Sequence, residues 1–418
     1  MKEEYLHYIF RTKQLGNSFT TTKGLKIEVL NFGYHNHSSG PDFLECKIEY
    51  EGKTWAGQIE FHVNSSDWFK HNHQHDSNYN NVIAHFVYSH DQDIKSGEYI
   101  LPTVELKELI DRQHYQKYES YINSKNWIAC QNEINNVDSF VVFQQKEKAL
   151  FSRLFRKSQQ IIDLISINNG DRLKVFYVLL FKAFGTKVNQ KAFERLGTKF
   201  DYKIISKLNN DSIKVQAYLF GLSGLLADNT EDEYYNELKT EFSYLKHLYT
   251  INEMKSEEWK FSALRPANFP TIRLAQLAQV LIKFVKVDEN PSVNTIRKQY
   301  KIQLSEYWQN HYMFGRVGKT KNSNLTNSFI DLLIINVYVP FLFSVGQLED
   351  DEAKKSKSIS LLEGVKSEKN GIITKWKDLS IDIKSAFDSQ ALIELKNEFC
   401  NKSQCLNCKI GVKLLKNG

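Results

Sequence analysis

Six prolines and 19 glycines in 418 residues are too few for a collagen-like, low-complexity or linker-dominated chain. Cysteine is scarce too, five in all, so a dense disulfide scaffold is excluded. Long apolar runs are missing. Leu332 to Val345 is the most apolar stretch, but Asn336 and Pro340 interrupt it. It reads as a buried helix ending near Pro340, not as a membrane span. The opening MKEEYLHYIF carries charges and tyrosines where an export signal needs an apolar core. A cytoplasmic protein with reduced thiols and no membrane partner is the expectation. G-x-S-x-G and H-E-x-x-H are absent. Gly318-Lys319-Thr320 ends like a phosphate-binding loop, but Met313 stands where its first glycine belongs.

What is present is ordinary globular material: 41% hydrophobic residues, 25% charged, 27 Phe and 21 Tyr. The length calls for two or three domains. The net charge of +6 permits a nucleic-acid partner without demanding one.

Residues 3–14 pattern as a helix. Strand-like runs follow at Leu25–Phe32, Phe43–Tyr50, Lys53–Val63, Val82–Tyr88 and Tyr99–Leu106, with Glu51-Gly52 as a hairpin signal. From about 137 the period becomes helical, with patterns over 172–185, 189–197, 211–228, 232–249, 271–286, 292–307 and 325–345. The expected division is an α/β domain over 1–136, an α-helical domain over 137–346, a charged linker over 347–382, and a C-terminal helix with a Cys-rich tail over 383–418.

The chemistry concentrates in GPDFLECKIEYEGKTWAGQIEFHV. Alternation along a strand places Gln58, Glu60 and His62 on one face, and the hairpin brings Asp42 beside them. Two converging carboxylates suit a hard cation, Mg²⁺ or Mn²⁺, which activates water and stabilises charge on a phosphoryl oxygen. The other reading is a surface cross-strand pair of Glu60 and His62, with Asp42 capping a turn. His71, His73, His75 and Asp76 crowd the next loop, and imidazole with carboxylate suits Zn²⁺, Mn²⁺ or Fe²⁺. His71, His73 and Asp76 are thus auxiliary candidates. His85, in an apolar strand, reads as a buried, hydrogen-bonded histidine.

The tail carries Cys400, Cys405 and Cys408 in a C-x4-C-x2-C spacing, and Cys130 is the best fourth ligand. Such a set fits zinc or a [4Fe–4S] cluster, whereas Cys46 suits core packing. Around Arg265-Pro266-Ala267-Asn268-Phe269-Pro270 a stiff turn has basic flanks. Arg265 and Arg273 are weak candidates for a phosphate contact there.

Pro41-Asp42 and Glu60-Phe61-His62 resemble the two elements of the PD-(D/E)xK nuclease superfamily, with His62 where that superfamily usually has Lys. The tail is loosely similar to that of iron–sulfur nucleases of the recombination-repair type. Taken together, GPDF, the E-x-H strand, DW..H.H..D..Y..V..H, the RPxNxP turn and the Cys tail resemble an uncharacterised bacterial domain-of-unknown-function family, number 2851. These resemblances imply an α+β fold class: a mixed-sheet nuclease-like α/β unit, a mainly α-helical region and a Cys-rich tail. The function they imply is a metal-dependent phosphodiester hydrolase or nuclease-derived nucleic-acid-binding protein. In it Asp42 and Glu60 hold the metal, His62 serves as base or phosphate contact, and Gln58 orients water. The alternative is a non-catalytic scaffold with a degenerate nuclease fold and a structural metal.

Overall fold

The computed structural model describes residues 1–96, 99–283, 290–318 and 324–416. The chain divides into two compact units, Met1–Gln145 with Lys396–Gly418, and Lys146–Leu395. The fold is α+β, a curled mixed sheet in the first unit and helices through most of the second.

The first unit opens with α1 (Glu3–Arg11), whose Tyr5, Ile9 and Phe10 are buried. The strands are β1 (Ser18–Thr20), β2 (Lys26–Asn31), β3 (Tyr34–His35), β4 (Phe43–Tyr50), β5 (Lys53–Asn64) and β6 (Val82–Ser89). After them come β7 (Lys95–Ser96), β8 (Tyr99–Ile100) and β9 (Thr103–Glu105). The main sheet runs β1-β2-β4-β5-β6-β9, with β3 paired to β4. It is antiparallel up to β5, and β5–β6 and β6–β9 are parallel. Glu51 and Gly52 both have positive φ, the geometry of a two-residue hairpin turn. Between β5 and β6 lies a short helix, α2 (Asp67–Lys70), and two tight turns.

β5 changes character along its length. Lys53 to Ala56 are exposed, and Ile59 to His62 are all buried. The central strand is therefore covered on both faces. Phe61 packs on Phe10 of α1, with ring centroids 5.0 Å apart. On the other face His62 meets Trp68 of α2.

Tyr99–Leu106 does not form one strand. Pro102 has no N–H to donate, and its carbonyl accepts from His85 N at 2.9 Å. The chain splits there, so Tyr99–Ile100 pairs with Lys95–Ser96 and Thr103–Glu105 joins the main sheet.

α3 (Arg112–Ile122) follows, and the boundary between units falls inside α4 (Ser139–Ile167). The tail belongs to the first unit. It holds a 3-10 turn at Cys405–Asn407 and a last helix at Lys409–Lys416. Lys396 Nζ donates to the Trp127 carbonyl at 2.6 Å, and Lys117 Nζ donates to that of Leu414 at 2.7 Å.

In the second unit, helix Asn327–Leu348 is apolar enough to cross a membrane by length and composition, yet 83% of its window is buried inside the protein. It does not end near Pro340. A π-helical turn at Ile334–Tyr338 precedes Pro340. That turn absorbs the register change a ring without an N–H imposes.

The charged segment 347–382 is not a linker. It carries helices Glu352–Glu363 and Gly371–Asp378, which bury Leu361, Leu362, Ile373 and Trp376. The pattern over 292–307 divides into Val293–Gln299 and Glu306–Asn310, separated by buried Ile302 and Leu304. Of the pattern at 271–286, Pro270–Lys283 is a helix, and 284–286 lie outside the described residues, as do Lys319 and Thr320.

Candidate metal centre

Asp42 and Glu60 come together through a reciprocal lock. Asp42 N donates to Glu60 Oε2 at 3.0 Å, and Phe61 N donates to Asp42 Oδ2 at 2.9 Å. The lock sits where the β4–β5 register shifts between Phe43 and Cys46, with Glu45 at φ 58°. A bulge of this kind re-aims the side chains that precede it.

The two carboxylates do not form an all-oxygen pocket, because each faces imidazoles. Asp42 Oδ2 lies 3.2 Å from His7 Nε2, and His7 Nδ1 lies 3.2 Å from His35 Nε2. Glu60 Oε1 lies 3.4 Å from His73 Nε2 and 3.7 Å from His62 Nε2. His62 Nε2 is 3.1 Å from His71 Nδ1, and His62 Nδ1 is 2.8 Å from His85 Nε2. Two triads, His62–His71–His73 and His7–His35–Asp42, each offer ligand atoms within 4.8 Å of one another. His7 Nε2 and His73 Nε2 are buried without an aligned hydrogen bond, although each has a carboxylate oxygen close by.

Burial dominates the electrostatics. It pushes the Glu60 carboxyl up to about 10, and the Asp42 charge adds to the rise. Burial, then His85, His73 and His71, hold His62 down to about 2. His85 falls to about 3 and His35 to about 4, again chiefly by burial. Glu3 rises to about 7 through burial and the Asp42 charge. Without a cation, this pocket favours uncharged side chains.

The other candidates divide. Gln58 is half-buried, with its Oε1 unpartnered. Asp76 accepts from Asn78 N at 2.9 Å, which caps a turn. Arg265 is exposed before the turn Pro266–Asn268. Arg273 is spent inside the helical unit. It donates to Asn268 Oδ1 at 2.7 Å and to Gln276 Oε1 at 3.0 Å, and lies 4.1 Å from the Phe329 ring centre.

Sequence reasoning missed His7, His35, Trp68 and Tyr79. His35 and His37 stand shortly before Asp42, and His7 interrupts an apolar helix face. Beside His7 and His35 a cavity of about 220 Å³ opens, lined by Glu4, Arg11, His37 and the tail residues Ser403, Gln404 and Asn407 among others.

All four candidate cysteine ligands lie in the first unit, none of them in a disulfide. Burial pushes Cys130 and Cys405 up to about 12 and Cys400 well above its usual value, and the neighbouring cysteines add to each rise. Every pair among Cys130, Cys400, Cys405 and Cys408 takes part in these interactions. The thiols are not drawn together as tightly as the two histidine triads. Cys46 is buried, and its Sγ contacts the Phe32 carbonyl at 3.3 Å.

A family model described as protein of unknown function (DUF2851) matches residues 3–371. No curated protein and no solved structure matches the chain.

Proposed function

Because the chain belongs to the DUF2851 family, whose description names no activity, we propose its function from the centre itself: a metal-dependent phosphodiester hydrolase acting on nucleic acid, or a nuclease-derived nucleic-acid-binding protein. The observation that carries this reading is the lock between Asp42 and Glu60 beside the His7–His35 cavity. Asp42 enters at the head of one strand and Glu60 lies on the next. That is the placement the PD-(D/E)xK resemblance requires.

The residues modify the metal that resemblance implies. His7 and His35 join Asp42, and this donor set fits Mn²⁺, Fe²⁺ or Zn²⁺ better than Mg²⁺, which prefers oxygen ligands. Held there, such an ion supplies Lewis acidity and a water of lowered pKa. Asp42 and His35 hold the donor geometry, and Glu60 fixes Asp42 through its backbone N–H. Arg11 lines the cavity with its Nη2 held by the Leu406 carbonyl and Asn407 Oδ1, which leaves its other N–H groups to a phosphate. His62, which is fully buried, is better placed as a ligand than as a base that meets substrate.

The non-catalytic scaffold is the second reading. Glu60 is 4% exposed and His62 and His85 are 0% exposed, which suits a structural metal. The Cys130, Cys400, Cys405 and Cys408 set is proposed as a zinc or [4Fe–4S] site in either case.

The test is cleavage of single- and double-stranded DNA and RNA with Mn²⁺, Fe²⁺ or Zn²⁺ supplied. Asp42→Asn is expected to lower the rate by at least about a hundredfold, as losing a charge-stabilising group does, with the fold unchanged by circular dichroism. Absence of cleavage on every substrate transfers the case to the scaffold. Binding to nucleic acid is expected to weaken steeply as salt rises.

A further inference from the structure

We propose that His62, His71 and His73, with Glu60, bind one borderline divalent transition-metal ion of the zinc type, at a site distinct from the Asp42 donor set. The first support is geometric. Donors about 2.1 Å from a tetrahedral ion are separated by edges of about 3.4 Å. The separations here are 3.1 Å for His62 Nε2 to His71 Nδ1, 3.4 Å for His73 Nε2 to Glu60 Oε1, and 3.7 Å for His62 Nε2 to Glu60 Oε1. The three imidazole donors lie within 4.8 Å of one another, and Glu60 adjoins two of them.

The second support is what hydrogen bonding leaves undone. A neutral imidazole has one N–H. If His62 spends it on His85 through Nδ1, its Nε2 is a bare lone pair directed at the cluster. His73 Nε2 is buried with no hydrogen-bond partner, although Glu60 Oε1 is near. Atoms this close that do not aim protons at each other are converging on a common point. The arrangement thus leaves His73 Nε2 without an aligned hydrogen bond.

The third support lies outside the ligand ring. The contact of His62 Nδ1 to His85 Nε2, at 2.8 Å, is the outer hydrogen bond that orients a metal-bound histidine. His73 is fixed by stacking on Tyr79, with centroids 3.8 Å apart and planes at 20°. Trp68 meets its edge at 5.4 Å. His71 is exposed and leaves an entry path for the ion. Three neutral imidazoles and one carboxylate against a divalent ion leave a net +1, so the buried Glu60 charge is compensated. Glu60 Oε2 accepts from Asp42 N, and so this ion would hold the carboxylate that fixes Asp42.

The experiment uses full-length protein stripped by a chelator and titrated with Zn²⁺ and, as a spectroscopic probe, Co²⁺. Thiolate-bound Co²⁺ absorbs strongly by charge transfer and nitrogen-bound Co²⁺ does not, which separates this site from the cysteine set. Expected is one nitrogen- and oxygen-ligated ion per chain that remains in Asp42→Asn, which disables the other donor set of this kind. Its affinity should fall by about a hundredfold in His71→Ala and in His73→Ala, at or beyond the effect of losing an outer partner. His75→Ala, an exposed histidine of the same loop outside the triad, should bind as the unaltered protein does. Thermal melts in chelator check that the variants fold. No nitrogen-ligated ion, equal affinity in all three variants, or loss of this ion in Asp42→Asn but not in His71→Ala overturns the proposal. Retention of the ion without cleavage of any nucleic acid supports the site and removes only the hydrolase reading.

Discussion

In the helical unit, Glu394 is 2% exposed, and Arg156 meets it with contacts of 2.7 and 3.0 Å. Lys146 meets Asp388 there at 2.5 Å, and Asp388 also accepts from the Lys384 and Ser385 backbone. In the sheet unit, Glu60 is as deeply buried, but its neighbours are imidazoles and the Asp42 carboxylate. The first arrangement is complete, since each buried charge has a cation of the chain opposite it. The second has acceptors and lone pairs without a positive partner. Buried charge that is already paired argues for structure, and a buried set that lacks its counter-charge argues for a ligand.

The largest effect is expected at the cysteines, where the sheet unit brings four thiols into electrostatic reach of one another. If a metal joins them, its binding energy is folding energy. The tail then closes a very long loop: Lys396 already reaches Trp127 across 269 positions. Cys405→Ser should release the metal and cost about 4 kcal/mol, the stabilisation that a ligand gives at about a thousand times its Kd. That lowers the melting temperature by roughly 10 °C in a domain of this size. Elemental analysis of anaerobically purified protein should show the loss, in Cys405→Ser, of about one zinc or of about four irons with their visible absorption. Neither metal in such material breaks the comparison at this point.

Next is the pH response of metal-free protein. His62, His85 and His35 are held to about 2, 3 and 4, mainly by burial. The unfolded chain takes up protons below about 6.5 while the folded chain does not. Their contribution is therefore whole above that pH and is lost as pH falls. Glu60, raised to about 10, runs the other way: its contribution is whole below about 4.5 and is lost as pH rises through neutrality. Metal-free protein is thus squeezed from both sides. Added Zn²⁺ should raise the melting temperature more at about pH 7.5 than at about pH 5.5, because the ion holds Glu60 in the charged form that burial otherwise disfavours. A metal effect that does not change with pH would mean that Glu60 does not hold the ion.

The complete arrangement gives a smaller effect. Glu394→Gln keeps the volume and removes the charge. Arg156, 46% exposed along its side chain, can turn to water, so the loss stays near that of charged hydrogen bonds, about 2 kcal/mol. A denaturation midpoint that does not move would show this pair to be replaceable.

Much of the fold was legible because its signals are local. Phe43–Tyr50 has the bounds its alternation predicts, and the Glu51-Gly52 turn closes its hairpin. The pairing of Asp42 with the Glu60 strand followed from the same hairpin. His7 and His35 were not legible as donors, since only the packing of α1 against the sheet brings His7 to Asp42. The break at Pro102 was written in the chain, but the run of apolar residues around it outweighed it. At 347–382 charge density was read as solvation, although Leu361 and Leu362 already marked a buried face.

That last segment carries the smallest prediction. Asp351 accepts from Lys354 N at 3.1 Å at the start of helix Glu352–Glu363. It satisfies one of the helix's unpaired donors and places negative charge at the positive end of the dipole. Lys354 Nζ is 3.2 Å from the same carboxylate and 2.5 Å from Glu349, but these exposed contacts contribute little. Asp351→Ala should therefore destabilise this helix, and Asp351→Asn should do so less, because the amide oxygen still caps. The loss should appear as faster amide exchange over residues 352–357, with no change at β5. If this segment behaved as a linker, both variants would leave exchange there as fast as in an unfolded chain. A slowed baseline that the alanine variant removes would place the charged helix with the complete, internally paired half of the comparison.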